Sequence, residues 1–280
     1  MAQPVRADGR FMTVRRETER PQSVALDESA LLRAAAERIV LGRCVLFDFD
    51  GPLCRLFPGT SSAPLAVELR KIVARRGALA LLPPAALASI DPQVVLRAVD
   101  SARPGDALVA ELDACLVQGE KEAARIAPPT EGAEDLVRRL AKEGVRIAVT
   151  TNNSPEAVAV YLRRMGLDEH FAGRIHGRTG DPRRLKPHPD CLLRALDAFG
   201  ADAADALMFG DTTTDLAAAR AAGVAFVGYA PDPGEDGDDG GGGGGGRGEG
   251  ACEREAAALR AAGVAVVRHR FDDFSALIPW

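Results

Sequence analysis

Strands and helices alternate regularly over the second half of this 280-residue chain, and this pattern limits the fold more than any other feature. Short apolar runs of strand length are separated by helical segments, several of which are followed directly by glycine. Such alternation predicts an α/β protein with a doubly wound, Rossmann-like parallel sheet. The predicted helices span 132–142, 155–165, 189–199, 212–222 and 252–262, and the predicted strands span 145–150, 206–209, 224–228 and 264–267. The segment 166–186 is predicted to be a loop.

The first half of the chain predicts a helical insertion into this core. A helix at 26–40, followed by Gly42, and a strand at 43–47 come first, and only helical spacing is found from 63 to 126. The three helical segments, 64–75, 92–101 and 106–126, are too long for a simple crossover. We therefore expect a helical cap at 57–126 within an α/β core formed by 25–56 and 127–280. The alternative is a set of extra helices packed flat on the sheet.

Two segments have compositions that do not favour a packed core. Residues 1–24 contain several arginines but no apolar h-region, which predicts a disordered tail and not a signal peptide. Residues 232–250 are acidic and then almost purely glycine, which predicts a flexible loop inserted within the core.

Composition also narrows the possible partners and compartment. The net charge is −5 without a basic stripe, which argues against nucleic-acid binding, and no apolar run is long enough to span a membrane. The five cysteines form no C-x-x-C pair, which favours reduced thiols in a cytoplasmic protein. The oligomeric state is not predicted.

Two carboxylates follow the first predicted strand. Asp48 and Asp50 are two residues apart, so in extended geometry both side chains project to the same side. A pair of this kind requires a cation between the carboxylates or a proton on one of them. Gly51 allows a tight turn directly afterwards. A solvated Asp-x-Asp-Gly turn is the alternative.

The next elements also place polar residues at or near strand ends. Thr151 and Asn152 follow the second strand and suit an anion, although they also suit an ordinary helix cap. Lys186 lies beside two prolines that stiffen its backbone, in a chain with only four lysines; the alternative is a surface lysine. Asp211 and Asp215 follow the third strand, where Asp215 also suits a helix cap.

This set of residues resembles the haloacid dehalogenase superfamily. The family has D-x-D-G, then a Ser or Thr at a strand end, then a Lys, and then G-D-x-x-x-D; all four motifs occur here in order, between about residue 43 and the last strand. The insertion is similar to the helical C1 cap of the phosphoglycolate phosphatase and β-phosphoglucomutase branch.

The resemblance implies a role for each of these residues. Asp48 would be the nucleophile that accepts the phosphoryl group, and Asp50 would protonate the leaving oxygen and then deprotonate water. Thr151, Asn152 and Lys186 would bind the phosphoryl oxygens, with Lys186 also screening the nucleophile.

The resemblance also implies a Mg²⁺ cofactor. The ion would bind the carboxylates of Asp48 and Asp211 and the backbone carbonyl of Asp50, with Asp215 in support.

The implied function is a Mg²⁺-dependent phosphatase acting on a small phosphorylated metabolite. A phosphomutase of the β-phosphoglucomutase type and a non-catalytic binding protein of the same fold remain alternatives. Asp50 separates this chain from the dehalogenases, which lack the second acid. Cys54, Arg55 and Leu56 replace the Asp-Ser stretch typical of phosphoglycolate phosphatases, which weakens that particular assignment.

Overall fold

A six-stranded parallel sheet forms the centre of the protein in the computed structural model, which describes residues 27–58, 62–231, 249–268 and 270–279. The strands are β1 Cys44–Phe47, β2 Arg146–Thr150, β3 Ile175–His176, β4 Ala206–Gly210, β5 Ala225–Ala230 and β6 Val266–Arg268. Their order across the sheet is β3-β2-β1-β4-β5-β6. The predicted doubly wound parallel α/β fold is therefore confirmed.

The helices surround this sheet and fill the long connection between β1 and β2. They are α1 Glu28–Gly42, α2 Ala63–Arg75, α3 Pro84–Ala88, α4 Pro92–Ala102, α5 Ala107–Ala124, α6 Ala133–Lys142, α7 Pro155–Met165, α8 Asp190–Phe199, α9 Thr213–Ala222, α10 Glu249–Ala261 and α11 Phe271–Ala276. Helix α7 matches the prediction at both ends, and the other predicted elements shift by at most a few residues.

Short elements are the main departures from the predictions. The two-residue strand β3 lies within the segment 166–186 that was predicted to be a loop, and neither α3 nor α11 was predicted. Elements this short offer too few residues for a periodic pattern. Gly42 is the last residue of α1 and does not follow its end, because Arg43 takes the left-handed conformation (φ 51°) that ends the helix.

Alternate residues of β1 face opposite sides of the sheet, as in any strand. Val45 and Phe47 pack against helices α1, α6, α7 and α11. Cys44 and Leu46 pack against α8 and α9. All four side chains are fully buried, and burial of each large apolar side chain contributes about 1.5–3 kcal/mol. The carboxyl end of β1 is thereby fixed in the middle of the sheet.

Helices α2 to α5 form a hydrophobic cluster of their own. It is built from Leu69, Ile72, Val73, Ala78, Leu82, Ala86, Val95, Leu96, Val99, Leu108, Val109, Leu112 and Leu116. Helix α5 also packs along α7 of the α/β core. One helix therefore belongs to the packing of the insertion and also joins the insertion to the core.

The predictions for 1–24 and for 232–248 lie outside the described residues. The last two residues of the predicted glycine-rich loop, Glu249 and Gly250, belong to α10. In the part of the chain that the structure describes, no helix has the combination of length and apolar character required to cross a membrane.

Candidate active site

The predicted site residues meet at the carboxyl ends of β1, β2 and β4. This is the position where ligands bind to open α/β sheets, since the chain reverses its direction of winding beside β1. A cavity of about 300 Å³ lies there. Its lining includes every residue singled out in the sequence: Asp48, Asp50, Thr151, Asn152, Lys186, Asp211 and Asp215.

Asp48 and Lys186 form a buried ion pair. The ammonium nitrogen of Lys186 lies 3.0 Å from Asp48 Oδ1 and 2.6 Å from Asp215 Oδ1, and the lysine side chain is 1% exposed. Burial alone would lower the pKa of Lys186, but the charges of Asp215 and Asp48 outweigh it and raise this pKa above its ordinary value. Burial raises the pKa of Asp48, and Lys186 opposes that shift. Lys186 is therefore a fixed positive charge beside the Asp48 carboxylate.

Asp50 directly precedes a tight turn and forms an isolated β-bridge with Cys54. Its Oδ1 accepts a hydrogen bond from the backbone N–H of Leu56 at 2.8 Å. Burial raises the pKa of Asp50 to about 7, against the lowering effect of that hydrogen bond. Gly51 has φ +103°, and a Cβ at this position would lie 2.6 Å from the Asp211 carboxyl carbon. The turn therefore requires glycine for its backbone conformation and for the approach of Asp211.

The loop after β2 holds Lys186 by its backbone. Asn152 Oδ1 accepts from the Lys186 N–H at 2.7 Å, and Asn152 Nδ2 donates to the Lys186 carbonyl at 3.3 Å. The Thr151 hydroxyl donates to Asn153 Oδ1 at 3.0 Å. Asn152 is therefore a support for Lys186 as well as a lining residue, which the sequence did not indicate.

Asp215 is a helix cap and an ion-pair partner at once. Its Oδ2 accepts from the backbone N–H and the hydroxyl of Thr212, in a capping box at the start of α9, while Oδ1 faces Lys186. A Cβ on Gly210 would lie 2.7 Å from Asp215 Cβ, so the close approach of Asp215 requires glycine there. Because both of its carboxylate oxygens already have partners, Asp215 is placed to orient Lys186 and the start of α9.

Three carboxylates could bind a metal ion together. Ligand atoms of Asp48, Asp211 and Asp215 all lie within 4.8 Å of one another. Burial and the neighbouring carboxylates raise the pKa of Asp211 well above its usual range, so these groups repel one another without a cation. Asp48 Oδ1 is buried and accepts no hydrogen bond from a described residue, although the Lys186 ammonium lies 3.0 Å from it as an ion pair. This set of oxygen ligands fits a hard divalent cation.

A second buried ion cluster, which the sequence analysis missed, lies beside the same cavity. Arg178 binds both carboxylate oxygens of Glu120, at 2.7 and 3.1 Å, and its Nε donates to Asp113 at 2.6 Å. Asp113 and Glu120 are seven residues apart on α5 and so share a face. That spacing is the only signal the sequence offers, since Arg178 lies 58 residues beyond Glu120.

This second cluster connects the insertion to the polar loop after β2. Glu120 accepts from Asn153 Nδ2 at 3.2 Å and from the Ser154 N–H at 2.9 Å, and Arg178 donates to the Asn152 carbonyl at 2.9 Å. Helix α4 makes a further link through Arg97, which donates to the Lys186 carbonyl at 2.6 Å. The insertion thus contacts the backbone that positions the site.

Two thiols lie close behind the site carboxylates. Burial, followed by the charges of Asp50 and Asp48, raises the pKa of Cys54 well above its ordinary value. Burial raises the pKa of Cys191 to about 11, although Lys186 opposes this shift. Both thiols are therefore protonated at neutral pH.

The fold and the site define a class of protein: a parallel α/β protein with paired aspartates, a buried lysine and further acids at one edge of its sheet. The chain belongs to the haloacid dehalogenase-like hydrolase family, whose profile matches residues 43–223.

Two relatives agree with this assignment, and one solved structure shares the fold. The chain is 34% identical over 206 residues to a phosphoglycolate phosphatase from Rhodospirillum rubrum, covering 68% of this chain and 82% of the relative. It is 31% identical over 199 residues to a phosphoglycolate phosphatase from Pseudomonas putida, covering 67% and 69%. A crystal structure of a predicted phosphatase from Clostridium acetobutylicum shares the fold, with a TM-score of 0.53 at 18% identity, covering 84% of this chain and 97% of that one.

Proposed function

We propose that the protein is a Mg²⁺-dependent phosphatase that hydrolyses a small phosphorylated metabolite through an aspartyl-phosphate intermediate. The observation that carries the proposal is the ion pair between Lys186 and Asp48, at 3.0 Å, in the same cavity as Asp50 and Asp211. A carboxylate repels a phosphate dianion unless positive charge is fixed beside both. Lys186 supplies part of that charge.

In the first half of the proposed reaction, a carboxylate oxygen of Asp48 attacks phosphorus. The bond between phosphorus and the leaving oxygen breaks, and Asp50 gives its proton to that oxygen, so that an alcohol departs. Lys186 and the Thr151 and Asn152 loop are the proposed contacts of the phosphoryl oxygens. A cavity of about 300 Å³ suits a small substrate.

In the second half, water attacks phosphorus of the aspartyl phosphate and gives a proton to Asp50. The bond between phosphorus and the Asp48 oxygen breaks, which releases inorganic phosphate and restores both aspartates. Asp48, Asp211 and the Asp50 carbonyl are the proposed ligands of Mg²⁺, with Asp215 in support. The bound ion would neutralise negative charge on the phosphoryl group.

We also propose that the insertion, residues 57–126, acts as a cap over a core formed by 25–56 and 127–280. Two observations support this role. Helices α2 to α5 have a hydrophobic cluster of their own, and the insertion contributes Ser62, Asp91, Gln93 and Glu120 to the lining of the cavity.

The test is phosphate release from a panel of phosphomonoesters, with Mg²⁺ and with EDTA, by the native protein and by Asp48→Asn. We expect metal-dependent release that falls at least about 10⁴-fold in the variant, as for other removed nucleophiles. Asp197→Asn, an exposed aspartate on α8, is the matched control. Acid-quenched mass spectrometry should detect the phosphoenzyme on Asp48. Turnover that survives in Asp48→Asn would contradict the proposal.

A further inference from the structure

The helical insertion supplies the part of the cavity that remains for the leaving group. Lys186, Asp48 and the loop after β2 are assigned to the phosphoryl group, so the rest of the substrate contacts the insertion. The lining residues from the insertion are Phe57, Ser62, Asp91, Pro92, Gln93 and Glu120. Their charges and hydrogen-bonding groups therefore select the chemical class of the substrate.

As far as the structure describes the chain, the lining contains no free cation that could bind a second anionic group of the substrate, in addition to the phosphoryl group. Among the described residues that line the cavity there are six carboxylates, and the one cationic group is Lys186, which already lies between Asp48 and Asp215. Arg97 lies near Asp91, but its guanidinium donates to the Lys186 carbonyl and does not line the cavity. The three residues that join Pro58 to Ser62 are Gly, Thr and Ser in the sequence and carry no charge.

The start of α4 does not replace the missing cation. Exposed N–H groups at a helix N-terminus often bind anions, but here they are already used. Pro92 has no N–H, the Gln93 N–H donates to Asp91 Oδ1 at 2.8 Å, and the Val94 N–H donates to the Asp91 carbonyl at 3.3 Å. The groups that this end of the helix presents to the cavity are a carboxylate, Asp91, and an amide, Gln93.

We infer that the natural substrate is the phosphomonoester of an uncharged or cationic alcohol that carries hydrogen-bond donors, such as a polyol or an amino alcohol. The Asp91 carboxylate would accept from a hydroxyl or ammonium group of that alcohol, and Gln93 and Ser62 would add neutral polar contacts. A carboxylate or a second phosphate in the leaving group would lie near the Asp91 carboxylate, with no further cation among the described lining residues to pair with it. This inference rests on the proposed phosphatase function and sets the chain apart from its phosphoglycolate phosphatase relatives.

The first experiment compares three phosphomonoesters of similar size whose leaving groups differ in charge. These are glycerol 3-phosphate, which is uncharged beyond the phosphate, O-phosphoethanolamine, which carries an ammonium group, and 2-phosphoglycolate, which carries a carboxylate. We expect kcat/KM for 2-phosphoglycolate to be at least about tenfold below both others, since one like charge at an effective dielectric constant of about 20 produces a tenfold effect even at about 12 Å and a larger one at closer range. A value for 2-phosphoglycolate that reaches either of the others overturns the inference.

The second experiment removes the charge of Asp91. Asp91→Asn keeps a helix-capping oxygen, so the fold of α4 is retained. We expect the ratio of kcat/KM for O-phosphoethanolamine to that for 2-phosphoglycolate to fall at least about threefold, a fraction of the charge effect estimated above. Asp106→Asn is the matched control, because Asp106 caps α5 with the same 2.8 Å hydrogen bond and does not line the cavity. It should leave the ratio unchanged.

The outcomes separate this inference from the proposed function. Metal-dependent release that is lost in Asp48→Asn, combined with a preference for 2-phosphoglycolate, keeps the phosphatase and overturns the substrate class. A ratio that is the same in Asp91→Asn and in the native protein overturns the role of Asp91. Failure to release phosphate from any ester, with the protein folded and Mg²⁺ present, overturns both proposals.

Discussion

Two buried cations lie beside the same cavity, each between two carboxylates, and they differ in how fully their donors are used. Lys186 and Arg178 both have side chains that are 1% exposed. Arg178 donates to Glu120, Asp113 and the Asn152 carbonyl. All three nitrogens of its planar guanidinium group therefore have a hydrogen-bond acceptor. Lys186 has three N–H donors; one donates to Asp215 Oδ1, and Asp48 Oδ1 lies 3.0 Å away as an ion pair, so donor capacity is left for a ligand.

This difference separates a site of chemistry from a structural connection. The Lys186 cluster faces a cavity, and its three neighbouring carboxylates repel one another without a cation. The Arg178 cluster joins the insertion to the loop after β2. In this cluster the guanidinium group is hydrogen-bonded directly to the carboxylates of Glu120 and Asp113. We therefore expect changes at Lys186 to reduce activity first and changes around Arg178 to reduce stability first.

The largest effect is expected for Lys186→Met. This change removes the positive charge beside the nucleophile, so kcat/KM for phosphate release should fall by about 10³-fold, as for other preorganised charges at reacting groups. The assay should contain Mg²⁺, because the carboxylates of the site remain negatively charged in this variant. The control is the midpoint urea concentration of unfolding, which should be the same in the variant and in the native protein. If it is the same and kcat/KM falls less than tenfold, the role of Lys186 is contradicted.

A smaller effect, on stability, is expected for Glu120→Gln. The change leaves Arg178 buried without its main counter-ion, so the free energy of unfolding should fall by about 3 kcal/mol. Urea denaturation followed by circular dichroism measures this value. Glu122→Gln is the matched control, because Glu122 lies on the same helix and its side chain is 66% exposed. Equal stability of Glu120→Gln and the native protein would show that the Arg178 cluster is not a structural connection.

The smallest effect is expected for Asp113→Asn. The Asp113 side chain is 28% exposed and makes a single contact of this cluster, so its loss should cost about 1 kcal/mol of unfolding free energy. The same denaturation experiment applies, and kcat/KM should stay near the native value. A loss larger than that of Glu120→Gln would reverse the proposed ranking of the two acids.

The same comparison shows how much the sequence could predict. The Lys186 cluster could be found because each of its members follows a strand or a stiff loop, and parallel strands bring their carboxyl ends together. The sequence therefore predicts that Asp48, Lys186 and Asp215 lie near one another. Their individual contacts, such as the pairing of Asp215 with both Thr212 and Lys186, depend on side-chain geometry that spacing does not show.

The Arg178 cluster could not be found in this way. Asp113 and Glu120 share a helix face, but a pair of acids on a helix is most often exposed to solvent. Their partner lies in a segment that was predicted to be a loop, and only tertiary packing of α5 against α7 brings the two together. The short strand β3, directly before Gly177 and Arg178, was missed for a related reason: two residues carry no periodicity.

The protonated thiols behind the site have a consequence for the redox chemistry of the protein. The thiolate is the form that oxidants and alkylating agents attack, and a pKa of about 11 leaves only about one thiolate in 10⁴ at neutral pH for Cys191. Cys54 is shielded in the same way by burial and by the charges of Asp50 and Asp48. Burial, with a smaller contribution from the site aspartates, therefore keeps the pKa of both thiols high, and we expect these two thiols to react slowly with oxidants and alkylating agents at neutral pH.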